Sequence, residues 1–195
     1  MNPARFLRML VTPFNVIALL VLVGVLVARD TLISPGGSGL DPSLLEDDTP
    51  EQAQLAARLH YATADMTAFV VETRTVRVQY DSPTARASAT LAAWLAGPER
   101  AGSILPAPRD LSKPVVVVRR EGAFVDFGRD WTGMRTGAES EWRILCGITL
   151  TLADNAEAQQ VQFLVGGEPR DTLAGHVAIR APFTPATCGR TDAAR

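Results

Sequence analysis

Three carboxylates are the residues whose type and spacing would support chemistry: Asp126, Glu139 and Glu141. Glycoside hydrolysis uses two carboxyl groups on either side of the sugar bond, separated by the width of a substrate. Asp126 with Glu139 or Glu141 is the pair that would supply them. The alternative for Asp126 is an acid that faces outward or caps a loop. The sequence therefore offers a carboxylate-dependent, glycan-acting enzyme as one hypothesis.

Other catalytic arrangements find little support in the sequence. Hydrolysis by an activated serine or cysteine needs a nearby base, and the chain has two histidines, His60 and His176. Neither histidine accompanies a Gly-x-Ser-x-Gly nucleophile turn, and the spacing of His, Cys and Asp that a metal centre needs is missing. The sequence predicts no catalytic residue, no metal site and no cofactor, and it favours a module that acts by binding.

Cys146 and Cys188 are the two cysteines of the chain. In an exported domain, an oxidising compartment would permit a disulfide between them. That bridge would pin a proline-rich C-terminal segment to a helix and would stabilise the domain. The alternative is that Cys146 packs as a small hydrophobic residue and that Cys188 is a free thiol. The sequence leaves both interpretations open.

An uncharged apolar run spans residues 10–28. Its length is close to the shortest that crosses a bilayer as a helix. Arg5 and Arg8 before the run favour a cytoplasmic N-terminus over residues 1–9 and an extracytoplasmic C-terminal domain, periplasmic or on the cell surface. A cleaved signal peptide is the competing interpretation, but Leu26 and Ala28 fit an Ala-x-Ala cleavage site poorly. We expect an uncleaved, single-pass transmembrane signal anchor.

Charge is unevenly distributed after the apolar run. Residues 31–64 hold five acidic side chains and one basic one, whereas residues 65–195 hold fifteen of each. A surface that binds nucleic acid needs an excess of Lys and Arg, so no nucleic-acid partner is predicted. Gly, Ser, Pro and acidic residues dominate residues 29–50, which we expect to form a flexible acidic linker.

Residues 51–65 are predicted to form a short helix. Thr49 and Pro50 resemble an N-cap followed by proline at the first helical position. Leu55 and Leu59 then fall on one helical face. His60 in this segment is expected to be a surface or packing residue, because the partners of a metal site are missing nearby.

The folded domain is predicted over residues 66–182, with a C-terminal tail over 183–195. Alternating β-branched residues in 67–71 and 74–80 indicate a hairpin that turns at Glu72 and Thr73. The order then reads helix, strand, strand, helix, strand, with segments at 82–97, 115–120, 123–127, 136–155 and 161–165 and a weaker strand at 176–180. Thr136 and Glu139 are predicted to form a capping box at the start of the second helix. This order predicts an α+β, two-layer domain in which two helices cover one face of a mixed β-sheet.

A series of short motifs resembles the GerMN domain, the sporulation and spore germination domain that also occurs in exported proteins of non-sporulating bacteria. The motifs cover about residues 67–180 in the family's order: Leu95-Ala96-Gly97-Pro98, Ser103-Ile104-Leu105-Pro106, Val125-Asp126-Phe127, Thr149-Leu150-Thr151, Val161 with Gly167, and Leu173-Ala174-Gly175-His176. The chain departs from the family in having Gly166-Gly167 for the usual Asp-Gly turn, and in carrying a single copy of the domain.

We expect the motif residues to be structural and not to form a site. Gly97 and Pro98 end a helix, Pro106 fixes a loop, Phe127 packs, and Gly167 permits a turn with positive φ. The remaining motif residues are Asp126, Thr149, Gly175 and His176.

The resemblance also implies a fold similar to the ring-building motif of secretion rings. It implies a non-catalytic, membrane-tethered, extracytoplasmic binding or assembly module of the cell envelope. The implied partner is a protein or peptidoglycan, with contact to the membrane through the N-terminal helix. Homo-oligomerisation is left open.

Overall fold

The computed structural model describes residues 53–189 of the chain. Two three-stranded sheets and two α-helices make up this part, which gives a mixed α+β fold. The predicted anchor at 10–28 and the predicted linker at 29–50 lie outside the described residues. Among residues 53–189, none of the helices has the length and apolar character needed to cross a membrane.

The first sheet is antiparallel and contains β1 (Ala53–Thr63), β2 (Phe69–Val78) and β3 (Ser103–Ile104) in the order β2-β1-β3. β1 pairs with β2 along its length, from Ala53 opposite Val78 to Ala62 opposite Phe69. The turn between them is closed by Asp65, whose carboxylate accepts the Thr63 hydroxyl at 2.5 Å and the Thr67 hydroxyl at 2.9 Å. β1 is therefore the central strand of this sheet.

The predicted helix over 51–65 is wrong, because β1 occupies this segment. Ala57, Leu59 and Tyr61 are all buried, which is the period of two that a strand shows. Ala, Leu and Arg favour a helix locally, but pairing with β2 and burial of this face outweigh that preference. The expected packing role of His60 fits its 5% exposure and its 2.8 Å contact with Asp154.

The predicted hairpin turn at Glu72 and Thr73 is also wrong, because β2 continues through both residues. Thr73 pairs with Arg58 and Glu72 pairs with Leu59. The chain reverses earlier, around Met66, which has a φ of 56°. Because β2 pairs with β1 along residues 69–78, it continues through residues 72 and 73 without a turn.

The first helix, α1 (Pro83–Leu95), begins and ends as predicted. The Ser82 side chain accepts the Ala85 N–H at 3.2 Å, and Pro83 is the first helical residue. Gly97 follows the helix with a φ of 88°, a conformation that glycine adopts without strain. Trp94 is buried on the inner face of α1.

The second sheet contains β4 (Val115–Arg119), β5 (Gly122–Phe127) and β6 (Val161–Val165) in that order. β4 and β5 are antiparallel, whereas β5 and β6 are parallel. A short 3-10 helix at Arg129–Gly133 and the second α-helix, α2 (Ala138–Ala156), connect β5 to β6. The second sheet is therefore mixed because a helical crossover separates its last two strands.

The prediction of one mixed sheet with both helices on one face is wrong in its finer part. The strands form two sheets, and the helices contact each other; α1 contacts β1, β2 and β4, and α2 contacts β1. Side chains of α2, described below, bond to the edge of β1 next to its short pairing with β3. One hydrophobic core is continuous across both sheets and both helices.

Two local predictions in the second half also fail. The N-cap of α2 is Gly137 and no side chain caps it, so Thr136 and Glu139 do not form a capping box. Glu139 instead pairs with Arg143 one turn later, at 2.7 Å. The weak strand at 176–180 is absent from the described residues, where a single bridge joins Thr172 and Ala178. The loop that contains this bridge wraps around a buried carboxylate, as described next.

Candidate functional site

Asp126 lies on β5, where its carboxylate holds a turn. The Gly167 N–H donates to Asp126 Oδ1 over 2.8 Å. Gly166 and Gly167 both have positive φ, which glycine adopts without the strain of a side chain. The Gly166-Gly167 turn thus follows β6 and reaches back to β5. This contact corresponds to the loop-capping alternative and leaves Asp126 tied to backbone.

Glu141 is fully buried near the start of α2. Its carboxylate accepts backbone N–H groups from Leu173 at 3.1 Å, Ala174 at 2.9 Å and His176 at 3.0 Å. Within this loop, Gly175 has a φ of 101°, which glycine adopts without strain. Three N–H donors replace the water that a carboxylate loses on burial. The Leu173-Ala174-Gly175-His176 motif is therefore a cradle for Glu141.

The three carboxylates of the enzyme hypothesis thus have three separate sets of partners. Asp126 binds the Gly167 backbone, Glu139 pairs with Arg143, and Glu141 binds the loop around His176. In the described residues, no hydrogen bond connects any two of these carboxylates. The contacts of the described residues therefore do not link Asp126 to Glu139 or to Glu141.

The other motif residues take part in packing and loop contacts. The His176 ring Nε2 contacts the Thr136 carbonyl at 2.8 Å, next to the start of α2. Thr149 is buried and donates its hydroxyl to the Leu145 carbonyl one turn earlier. Phe127 is fully buried against Trp131, with ring centroids 4.7 Å apart. Pro106 lies half-buried in the loop after β3.

The Gly97-Pro98 motif is held by a buried ion pair on the first sheet. Arg74 donates to the Glu72 carboxylate at 2.8 Å and to the Gly97 carbonyl at 2.7 Å. The Glu72 carboxylate also accepts the N–H groups of Glu99 at 3.1 Å and Arg100 at 3.0 Å. Burial would raise the pKa of the Glu72 carboxyl, but these hydrogen bonds outweigh burial and hold that pKa below its ordinary value.

The Tyr61 side chain also contacts the segment around Gly97 that Arg74 and Glu72 hold. Its hydroxyl donates toward the carbonyls of Trp94 at 3.0 Å and Gly97 at 3.1 Å. Burial raises the pKa of the Tyr61 hydroxyl, so Tyr61 stays protonated and remains a donor at neutral pH. The end of α1 is thereby fixed to the first sheet by two donors, the uncharged Tyr61 hydroxyl and the charged Arg74 guanidinium.

On the edge of β1 that faces away from β2, β3 pairs only with Ala62 and Thr63, and side chains satisfy the backbone groups of Arg58 and His60. Asn155 accepts the Arg58 N–H at 2.9 Å and donates to the Arg58 carbonyl at 2.8 Å. Thr151 accepts the His60 N–H at 3.1 Å, and the Trp94 indole donates to the His60 carbonyl at 2.7 Å. These contacts satisfy backbone groups whose burial would otherwise be costly.

A disulfide joins Cys146 and Cys188, with their Cα atoms 5.4 Å apart. Cys146 is fully buried on α2, and Cys188 lies in the segment for which the sequence predicts a tail. Phe183 in that segment forms an antiparallel bridge with Val161 at the edge of β6. Residues 183–189 are thus fastened to the domain at two places.

One face of the second sheet turns away from the core. Val115, Val117, Phe124 and Leu164 share this face, because Val117 lies opposite Phe124, and Val115 and Leu164 both lie beside Asp126. Val115 is 64% exposed, the other three are half-buried, and none of the four belongs to the core. We call these four residues the outer patch. A cavity of about 160 Å³ adjoins Phe124 and is also lined by Gln162 and Pro182.

The outer patch is not among the site residues predicted from the sequence. Its signal is present in the alternation of β5 and β6, where Phe124 and Leu164 face away from Val125 and Phe163. Deciding which face lies on the core requires knowledge of what the helices cover. Within residues 53–189, no group of three or more His, Cys, Asp or Glu side chains is placed to hold a metal ion.

Comparison with known proteins places the chain in a family. Residues 58–171 match the family profile described as Germane, sporulation and spore germination. No curated protein matches the chain.

Three solved structures are similar to the chain. A Clostridium perfringens protein described as a lipoprotein aligns with 18% identity and a TM-score of 0.48, over 69% of this chain and 89% of that one. The tandem GerMN domains of the sporulation protein GerM from Bacillus subtilis align with 18% identity and a TM-score of 0.49, over 65% of this chain and 44% of theirs. The first GerMN domain of GerM alone aligns with 19% identity and a TM-score of 0.45, over 63% of this chain and 92% of that domain.

The profile match spans more than half of the 195 residues and contains the motifs from Gly97 to Gly167. The chain therefore belongs to the Germane family of sporulation and spore germination proteins and carries a GerMN-like domain.

Proposed function

We propose that this protein is a non-catalytic binding module of the cell envelope, held at the membrane on the extracytoplasmic side. The apolar run at 10–28, with Arg5 and Arg8 before it, supports a single-pass anchor. The flexible composition of residues 29–50 supports a tether between anchor and domain. The module would act by docking, without chemistry of its own.

The outer patch is the observation that carries this proposal. A sheet face with Phe124, Val117 and Leu164 leaves apolar surface in contact with water, and such patches commonly mark interaction sites. Aromatic residues next to a small cavity are typical of the residues that contribute most to binding. The apolar composition favours a protein partner over bare peptidoglycan.

The contacts of the acidic residues give further support. Asp126 and Glu141 are bound by backbone N–H groups and Glu139 by Arg143, so each has a structural role. A catalytic pair would instead need two carboxyl groups facing one substrate. The contact between Asp126 and Gly167 ties the turn after β6 to β5, and both strands carry residues of the outer patch.

Site-specific photo-crosslinking in intact cells tests the proposal. A photoreactive amino acid at Phe124 or Leu164 of the full chain should capture one defined envelope protein, identified by mass spectrometry. The same probe at the exposed Gln159 should not capture it. Phe124→Glu should reduce capture through Leu164 about tenfold, which corresponds to a binding loss of about 1.4 kcal/mol.

Two further measurements separate the alternatives. The double variant Asp126→Asn with Glu139→Gln should capture the same protein as the wild type, because an amide oxygen can still accept the Gly167 N–H. Loss of cellular function in this variant, with capture intact, would instead support an enzyme. A different result would indicate peptidoglycan as the partner. In that case no protein would be captured, the chain would co-sediment with purified cell-wall sacculi, and Phe124→Glu would abolish this co-sedimentation.

A further inference from the structure

The outer edge of β2 carries backbone groups that point away from the first sheet. Arg58 and His60 direct their N–H and C=O groups to Asn155, Thr151 and Trp94, away from β2. When two residues lie directly opposite each other in an antiparallel pair, their backbone N–H and C=O groups either point toward the other strand in both residues or point away from it in both. Thr73 pairs with Arg58, so its backbone groups point outward, and the alternation extends to every second residue of β2. The outward residues are Phe69, Val71, Thr73, Thr75 and Arg77.

Nothing within residues 53–189 bonds to these outward groups. The backbone and side-chain hydrogen bonds of the described residues include none to the N–H or C=O groups of this edge. Thr73, Thr75 and Arg77 are exposed. An unpaired edge of this length is a template for another strand, and natural proteins usually cover or interrupt such edges. β2 has neither a proline nor a bulge to interrupt it.

The sequence of β2 is self-complementary about Thr73. If a second β2 lies antiparallel with Thr73 opposite Thr73, then Val71 faces Thr75 and Phe69 faces Arg77 across the edge. All five outward residues then form hydrogen-bonded pairs, which exchange roughly ten backbone hydrogen bonds in all. β-branched pairs and an aromatic residue beside Arg are favourable cross-strand neighbours.

The same register is also complementary in charge. Glu72 of one copy lies opposite Arg74 of the other, and the reverse holds across the two-fold axis. These side chains already form an ion pair within one chain at 2.8 Å, so pairing would complete a cluster of alternating charges. Shifting the register by two residues in either direction places Glu72 opposite Glu72, or Arg74 opposite Arg74, and sets like charges against each other. The charges therefore select the register centred on Thr73.

We propose that two copies of this chain associate through the outer edge of β2, antiparallel and centred on Thr73. The two first sheets would join into one six-stranded sheet in the order β3-β1-β2-β2-β1-β3. This association does not depend on the binding role proposed above, because the outer patch belongs to the second sheet. A single-pass anchor would place both copies in one membrane and would favour such pairing by raising their effective concentration.

Cysteine cross-linking of the full chain in its membranes tests the register. Thr73→Cys should form a disulfide-linked dimer under mild oxidation, because hydrogen-bonded antiparallel pairs have Cα atoms about 5.5 Å apart, within disulfide reach. Thr75→Cys is the matched control, since two copies of residue 75 would lie about 13 Å apart along the strands. We expect about tenfold more linked dimer from Thr73→Cys than from Thr75→Cys, because only the first distance allows a bridge. Mixing Val71→Cys chains with Thr75→Cys chains should restore linkage.

A backbone variant provides a second test that leaves the fold in place. Thr73→Pro removes an N–H that points outward, so β1–β2 pairing is retained, as proline is tolerated on edge strands. It should abolish the dimer while the unfolding transition and the Cys146–Cys188 bridge persist. Phe124→Glu should leave dimer formation unchanged.

Several results would overturn the inference. The first is that Thr73→Cys chains remain monomeric under oxidation. The second is that Thr73→Cys and Thr75→Cys give equal amounts of linked dimer, because equal amounts indicate random collision. In Thr73→Cys chains that carry a second introduced cysteine within residues 41–50, a disulfide between the two introduced cysteines of one chain would mean that the chain covers its own edge. Retention of the dimer in Thr73→Pro would assign association to another surface.

Discussion

At the scale of single residues, Glu72 shows how a buried carboxylate can organise a loop. Its 8% exposure would disfavour the charged form, yet Arg74 and the N–H groups of Glu99 and Arg100 all donate to it. Hydrogen bonds to a charged acceptor are stronger than those between neutral groups. The loop that follows α1 is thus tied to the first sheet by a charge and not by apolar contact alone.

The lowered pKa of Glu72 makes part of the stability depend on pH. Because the folded-state pKa lies below the unfolded value of about 4.3, the stabilisation is complete above that pH and is lost as pH falls toward the folded-state pKa. Glu72→Gln should lower the free energy of unfolding at pH 7 by about 1–3 kcal/mol. The variant should also lose less stability than the wild type between about pH 5 and pH 3.

Denaturant unfolding at a series of pH values, followed by tryptophan fluorescence, measures both effects. Asp65 and Asp130 also have lowered pKa values, through hydrogen bonds from Thr63 and Ser112, and they contribute the same background to both proteins. Parallel pH profiles for wild type and Glu72→Gln would contradict the assignment.

At the scale of elements, the crossing of α2 over β1 depends on one residue without a side chain. A Cβ atom at Gly147 would lie 2.8 Å from Trp94 Cζ2 and 3.0 Å from the His60 carbonyl oxygen. Such contacts are too short, and the Trp94 indole is itself fixed by its bond to that carbonyl. Close packing at this point lets Thr151 and Asn155 reach the edge of β1.

Gly147→Ala should therefore destabilise the domain by about 1–3 kcal/mol, despite the better helix propensity of alanine. Gly133→Ala is a matched control, because nothing lies within 4 Å of a Cβ at Gly133. Chemical denaturation of both variants measures the difference. Equal stability of the two variants would mean that α2 shifts to admit the methyl group at little cost.

The elements differ in how far the sequence can predict them. α1 is defined by local signals, with Ser82 and Pro83 at its start and Gly97 after its end, and the structure confirms it. The composition of β1 instead predicts a helix, whereas its partners are β2 and residues such as Asn155, which lies 97 positions away from Arg58. A local sequence pattern cannot show that side chains of a distant helix hydrogen-bond to the backbone of this strand.

The same distinction applies to the candidate site. Alternation along β5 and β6 identifies two faces, and a loop-capping role for Asp126 is one of the alternatives that the sequence allows. The buried cradle of Glu141 cannot be derived, because it needs a loop more than 30 residues later to fold back onto α2. The outer patch likewise depends on which face the helices leave open.

At the scale of the whole molecule, the Cys146–Cys188 bridge fastens the end of the domain to its core. A closed loop with a sequence separation of 42 residues gives a stabilisation of about 4 kcal/mol in the chain-entropy account. Cys188→Ser should lower the free energy of unfolding by about 2–4 kcal/mol, and chemical reduction of the wild type should produce a similar loss.

Thermal and denaturant unfolding with and without reductant measure this loss. Cys188→Ser should show no further response to reductant, because its remaining Cys146 has no partner in the bridge. Two titratable thiols in wild-type protein denatured without reductant would contradict the bridge.

The position of β1 also determines how the domain would respond to mechanical force. If the proposed anchor pulls on the chain from its N-terminal side, the load reaches the described domain at Ala53, the first residue of the central strand. The ladder with β2 and the bonds to Asn155 and Thr151 would then be sheared together and not opened one at a time. Under the proposed tethering, the domain would therefore resist tension applied at its N-terminal end.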